Sequence, residues 1–212
     1  MLWERRCASC GRSGPSPCDA CVAAARPVVV PIVLDGLDTV TAPFDYEGPI
    51  RELVLAVKYR RDRSALAWLS SRLAEAAAAV PLSPGTVVTW PTTTARRRGQ
   101  RGFDQGELLA RRVAAELGLP ARSLLRRLPG PAQTGRSRAE RHEGPAFVAR
   151  RRVGSVLVVD DVVTTGATLR SAAGELRRGG SWAVAGAVVA ATGRGSTAVG
   201  TSAPGTGVRR EA

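Results

Sequence analysis

Aromatic residues make up only 4% of this 212-residue chain. Any core it buries is therefore built mostly of Ala, Val and Leu, and the stacked-aromatic pattern that grips single-stranded nucleic acid is missing. No apolar run reaches the roughly 18 residues needed to span a bilayer. The opening Met1-Leu2-Trp3-Glu4-Arg5-Arg6-Cys7 has no apolar h-region, so a cytoplasmic protein is expected. The one histidine, His142, sits in a polar loop and reads as a solvated residue rather than a catalyst. Lysine is nearly absent too. Lys58 stands alone among 31 basic residues, a ratio that points to a coding bias toward Arg. Acids are outnumbered, 18 to 31, which leaves a formal charge of +13. That surplus suits anionic partners, whether phosphorylated substrates or nucleic acid. Arg96-Arg97-Arg98, Arg126-Arg127 and Arg150-Arg151-Arg152 are local runs, part of which is ordinary solvated surface.

Residues 156–168, Val-Leu-Val-Val-Asp-Asp-Val-Val-Thr-Thr-Gly-Ala-Thr, carry the densest chemistry. Four apolar residues in a row suit a strand buried on both faces, as in a parallel α/β sheet. The strand runs into two adjacent carboxylates, Asp160 and Asp161, which are costly to bury without a partner. Thr164, Thr165, Gly166, Ala167 and Thr168 then form a tight turn before a helix predicted from Leu169 to about Arg178. Backbone N–H groups, hydroxyls and the positive end of the helix dipole would all converge there on one anion. Gly166 lets the backbone come close and take a positive φ.

All four cysteines lie near the start, as Cys7-x-x-Cys10 and Cys18-x-x-Cys21. Two CxxC pairs on a short spacer are the sequence form of a four-thiolate zinc site. Two disulfides are not expected in a reducing cytosol, and a redox CxxC needs no second copy. A closed four-ligand site has no catalytic position. Its role is to fold a module too small for a core of its own.

Along the rest of the chain, Val28 to Leu34 reads as a short strand pushed to an edge by Pro31. Residues 39–48 read as a strand ending at Gly48. Pro49 opens a helix that ends near Lys58-Tyr59. Ser64 is expected to cap a second helix, from Ala65 to about Val80. Thr86–Trp90 is a strand, and the polar loop 92–103 leads into a helix from Gln105 to Leu117. A short apolar strand surrounds Ser123-Leu124-Leu125. Pro129 to Gly144 has the composition of a long mobile loop. Trp182 to Ala191 is a second buried strand. Strand–helix alternation predicts a mostly parallel sheet with helices on both faces, and ligands at the carboxyl ends of its strands. The boundaries expected are 1–27 for the cysteine module, 28–193 for the α/β domain and 194–212 for a disordered tail.

The 156–168 stretch resembles the 5-phosphoribosyl-1-diphosphate (PRPP) signature of type I phosphoribosyltransferases, with no departure. The resemblance implies that Asp160 and Asp161 grip ribose hydroxyls while Thr164 to Thr168 hold the 5′-phosphate. The order of parts is similar to the ComF family, the phosphoribosyltransferase-like proteins linked to DNA uptake and competence. The double CxxC is followed by Tyr46-x-Gly48-x-Ile50-Arg51-x-Leu53, then Lys58-Tyr59 and Trp90-Pro91. Arg98-x-x-Arg101-Gly102-Phe103-Asp104-Gln105, Gln133, Glu140-Arg141 and Ala146-Phe147 come next. The chain departs from that pattern at Asp104, where the family has Asn, and after Arg141, where an expected Asn is missing and the spacing is short.

This resemblance implies a type I phosphoribosyltransferase-like sheet with a small zinc-ribbon-like module, and Mg²⁺ acting with PRPP. It implies pyrophosphate contacts from Arg98, Arg101 and Gly102, with Lys58 a further candidate, and lid contacts from Gln133, Arg138 and Arg141. The acceptor is unknown, with a nucleobase the first class to test. Type I relatives are commonly homodimers. Two other readings compete: a non-catalytic scaffold on the same fold, and a nucleic-acid-binding factor in competence.

Overall fold

Two apolar strands set the architecture of the computed structural model, which describes residues 5–60, 62–94, 98–99, 102–128 and 145–192. In chain order the elements are α1 (Asp19–Ala23), β1 (Thr39–Thr41), β2 (Phe44–Asp45), α2 (Gly48–Tyr59), α3 (Leu66–Ala78) and β3 (Val87–Thr89). They continue with α4 (Gln105–Glu116), β4 (Leu125–Arg127), β5 (Phe147–Ala149), β6 (Ser155–Val163), α5 (Ala167–Arg178) and β7 (Ala183–Ala191). The sheet runs β1-β7-β6-β3, with β2 also on β7. Every pairing in it is parallel. β4 and β5 form a separate antiparallel pair. The expected α/β class, a parallel sheet between helices, is the one the chain adopts.

The long strands β6 and β7 are central, and their near-continuous Val and Ala content follows from burial on both faces. On one side Leu157 and Val159 pack with Leu53, Leu69, Leu73 and Leu109 from α2, α3 and α4. On the other, Val156 and Val158 meet Leu169, Ala172 and Leu176 of α5. Each fully buried Leu or Val contributes about 1.5–3 kcal/mol.

Residues 28–34 do not form the expected strand. Only isolated bridges occur, Pro27 to Phe44 and Ile32 to Val40. Pro27 and Pro31 lack the N–H that a ladder needs, and Val29 is 84% exposed. Instead the segment turns Leu34 inward onto α5. The single strand expected over 39–48 is split into β1 and β2, with Pro43 between them. Ser64 is not the cap of α3: its N–H donates to Asp62 Oδ1 at 2.9 Å, and Ala65 holds the cap position without a side-chain bond.

Two staples tie outlying parts to the sheet. Arg60, just past α2, donates from Nη2 to Ala8 O at 2.6 Å and to Glu52 O at 2.9 Å, fixing the cysteine module to that helix. The β4–β5 pair is held to α5 by Ser171 Oγ donating to Pro145 O at 2.5 Å and by Ala149 N–H donating to Glu175 Oε1 at 3.1 Å. The Ala149 N–H and Arg178 hold the Glu175 carboxyl below its usual range.

Candidate active site and metal cluster

Because the strands run parallel, their carboxyl ends share one edge of the sheet, and β6 ends there with the acidic pair. The alternation of β6 shifts by one residue across the acids. Leu157 and Val159 face α2–α4, and so does Val162, while Val163 joins the α5 side.

The two acids have different surroundings. Lys58 Nζ lies 2.7 Å from Asp161 Oδ1, both side chains being less than one-fifth exposed, at 19% and 16%. Gln105 Nε2 donates to Asp161 Oδ2 at 2.8 Å. Burial works against the Lys58 charge, but Asp161 first and then Asp160 outweigh it, and the ammonium is held above its ordinary value. Asp160 accepts the Asp161 N–H on Oδ1 at 2.8 Å. Burial, reinforced by the Asp161 charge, pushes Asp160 up to about 7. Among the described residues no donor reaches the buried Gln105 Oε1, a defect that costs about 1–3 kcal/mol.

The turn after β6 has the shape of an anion cradle. Gly166 is the N-cap of the twelve-residue helix α5, with φ +73°. Thr164 and Thr165 are exposed, Thr168 is half-buried, and the Ala167 N–H points to Thr165 Oγ1 at 3.4 Å. A Cβ on Gly166 would stand 2.4 Å from Leu34 Cδ2. Gly166→Ala is therefore expected to destabilise the fold by at least about 1–2 kcal/mol, the cost of a left-handed backbone for an L-residue. Urea denaturation measures it, and an unchanged midpoint would refute the tight fit.

The polar loop after β3 is organised by Asp104. Its Oδ1 caps α4 by accepting from Glu107 N–H at 3.3 Å, and its Oδ2 accepts from Thr93 N–H at 3.1 Å. Arg98 Nη2 stands 3.5 Å from the same Oδ2. Gly102 turns the loop with φ +77° and donates its N–H to Arg98 O at 2.8 Å. Arg63 lies over the Phe103 ring, 3.9 Å from its centroid. The candidates Arg101, Gln133, Arg138 and Arg141 fall outside the described residues.

The cysteine sulfurs come together as the spacing predicts, all within 4.8 Å of one another. Cys7 and Cys21 are 3.8 Å apart and Cys10 and Cys18 3.7 Å. Thiolates about 2.3 Å from a tetrahedral zinc stand about 3.8 Å apart, so the donor set fits such an ion. Although burial opposes it, backbone N–H groups of Cys10, Cys18 and Ser9 draw the Cys7 thiol down to about 6. Burial pushes Cys21 up to about 12.

The sequence places the acids and the turn in one region but does not give the contacts of three further residues. Lys58, a further candidate for pyrophosphate, lies against Asp161. Asp104 was read as a departure from a family pattern, and it is a buried cap. Gln105 was only part of a motif. Gln105 opens α4 directly after its cap, and nothing in the local sequence marks it as a partner of Asp161.

No protein-family model matches the chain, and no curated protein matches it in sequence. Among solved structures, the glutamine PRPP amidotransferase from B. subtilis superposes at 24% identity and TM-score 0.40, over 58% of this chain and 26% of its own. Orotate phosphoribosyltransferase from Aeropyrum pernix gives 21% and 0.39, over 66% and 76%. Adenine phosphoribosyltransferase from Leishmania donovani gives 19% and 0.37, over 61% and 53%. The chain thus spans about a quarter of the amidotransferase.

Proposed function

We propose that the chain is a Mg²⁺-dependent phosphoribosyltransferase of the ComF kind, using PRPP and an acceptor of the nucleobase class. One observation carries it: an acidic pair at the end of a buried parallel strand leads directly into a Gly-capped helix N-terminus. A hydroxyl-binding carboxylate and a phosphate cradle are thereby joined on one rigid connection. In the reaction the bond from the anomeric carbon to pyrophosphate breaks, and a bond from that carbon to the acceptor forms. Asp160 orients the ribose, and Thr164, Thr165, Gly166, Ala167 and Thr168 hold its 5′-phosphate. Arg98 and the Gly102 backbone, on the loop braced by Asp104, receive pyrophosphate, with Arg101 assigned beside them. Gln133, Arg138 and Arg141 are assigned to the lid. When bound, Mg²⁺ supplies charge neutralisation on the leaving pyrophosphate. Positioning and fixed charge carry the rate. The cysteine cluster takes zinc and has no catalytic part.

Calorimetric titration of PRPP into the zinc-loaded protein tests this. Saturable binding that requires Mg²⁺ and disappears in the Asp160→Asn/Asp161→Asn double variant is expected. No binding at millimolar PRPP by folded protein would refute it. Affinity should rise between pH 6 and 8, by at most about tenfold per unit, because the Asp160 carboxylate accepts hydroxyl protons better than its acid form. Folding stability should move the other way. Asp160 binds its proton more tightly when folded, at about 7 against 3.8, so its contribution is full below pH 4 and lost as pH rises through 7.

A second reading, contact with DNA during uptake, draws on the charge of +13 and on exposed Arg126, Arg150, Arg151 and Arg152 around the β4–β5 pair. It requires a steep fall of DNA affinity with salt.

A further inference from the structure

Gln105 is the first residue of α4, 6% exposed, and among the described residues its buried carbonyl oxygen has no hydrogen-bond partner. Its orientation is forced, since turning the amide over would aim that oxygen at the Asp161 carboxylate. For packing alone an apolar residue would serve better. Gln105 borders a small cavity walled by Val54, Val57, Leu66 and Leu69, with Asp161 at its polar end. Few buried polar atoms in native interiors go unpaired, so one that does calls for a reason.

What Gln105 does is complete the enclosure of one acid. Lys58 occupies Asp161 Oδ1 and Gln105 occupies Oδ2. Asp160, by contrast, has Oδ1 on the Asp161 N–H and, among the described residues, no partner on Oδ2. We propose that Gln105 is a positioning residue which, with Lys58, fixes Asp161 as a buried counter-charge and leaves Asp160 as the one carboxylate of the pair that touches ribose hydroxyls. This deepens the PRPP assignment and rests on it for the identity of the ligand. Asp161 then acts through its neighbour. Its N–H orients one Asp160 oxygen, and its negative charge sets the basicity of the other.

The test uses Gln105→Leu, which removes the donor in a cavity already apolar, and Gln105→Glu, which replaces it with an acid. The side-chain carboxyl carbons of Asp160 and Asp161 are followed by NMR through a pH titration of the ligand-free protein. PRPP with Mg²⁺ is titrated into each variant alongside. Gln105→Leu should melt within about 5 °C of the parent. Its Asp160 midpoint should rise by about half a pH unit or more, because the Asp161 charge has lost its hydrogen bond, and PRPP should bind about tenfold more weakly. Gln105→Glu should move the midpoint further the same way. Unchanged midpoints in both variants would overturn the proposal. If the parent binds no PRPP but the midpoints move, the functional assignment fails while the positioning by Gln105 stands.

Discussion

Replacing Lys58 with methionine is expected to destabilise the fold by about 3 kcal/mol, the lower end of the range for breaking a buried ion pair. The lower end applies because about one-fifth of each side chain still meets solvent. Methionine keeps most of the aliphatic length of lysine, so the loss reports charge rather than packing. What remains is an Asp161 carboxylate beside Asp160 with no cation against it. In a chain of this size the loss corresponds to a fall of roughly 6–12 °C in melting temperature. Lys58→Met/Asp161→Leu should recover most of it, since an apolar pair of similar volume is often no worse than a buried salt bridge. The sign with pH follows from the raised Lys58 value. The stabilisation is complete below the ordinary lysine value and is lost only as pH climbs through the folded one, so Lys58 itself adds no pH dependence between pH 7 and pH 9. Asp160, which Lys58 helps to hold down near 7, rises in the variant, and its protonation should make the loss smaller at pH 7 than at pH 9. Urea denaturation of the two variants at both values decides it. A double variant as unstable as the single one would show that the pair is not the source.

Stripping metal from the N-terminal module should have a still larger local effect. The buried apolar residues of that module are Cys7, Cys18 and Cys21 themselves, which leaves no core once the ion is gone. Structural zinc sites contribute on the order of 10–16 kcal/mol of apparent binding energy, and in so small a unit that energy is folding energy. One zinc per chain is expected by elemental analysis. After chelation, amide exchange should become fast at Cys7, Gly11 and Val22, whose N–H groups now bond to Arg12 O, Cys7 O and Cys18 O at 2.8, 2.8 and 3.0 Å. Amides of β6 and β7 should stay protected, because their bonds lie within the sheet. Protection that persists at Cys7 and Val22 without metal would remove the ion from its structural role.

The parts that were legible in sequence are those fixed by short-range chemistry. The Val-rich run before Asp160, the Gly at the helix cap and the paired CxxC each dictate local form with little help from distant residues. The strand order was not legible, because the order in which parallel strands associate depends on which helix faces fit which sheet face. The 28–34 segment misled because valines favour strands, yet Pro27 and Pro31 withhold the donors a strand must share. At the site, the carboxylates and the turn could be read from one stretch. Their partners could not: Gln105 is 56 residues from Asp161, and only the closed fold brings them together.

The place of β7 in the sheet has a consequence for synthesis. Among the described residues it is the last strand in chain order, and it pairs with β1, β2 and β6. Asp38 waits for Val184, 146 residues later, before its carboxylate meets that backbone N–H. At ribosomal speeds of about 5–20 residues per second, the early strands remain without their neighbour for on the order of ten seconds. Such long-range closure is slow folding by its topology. Until β7 emerges, β1 and β2 have no strand to pair with and α2 and α3 lack the β7 part of the sheet they pack on, so the nascent chain is a natural client for chaperones.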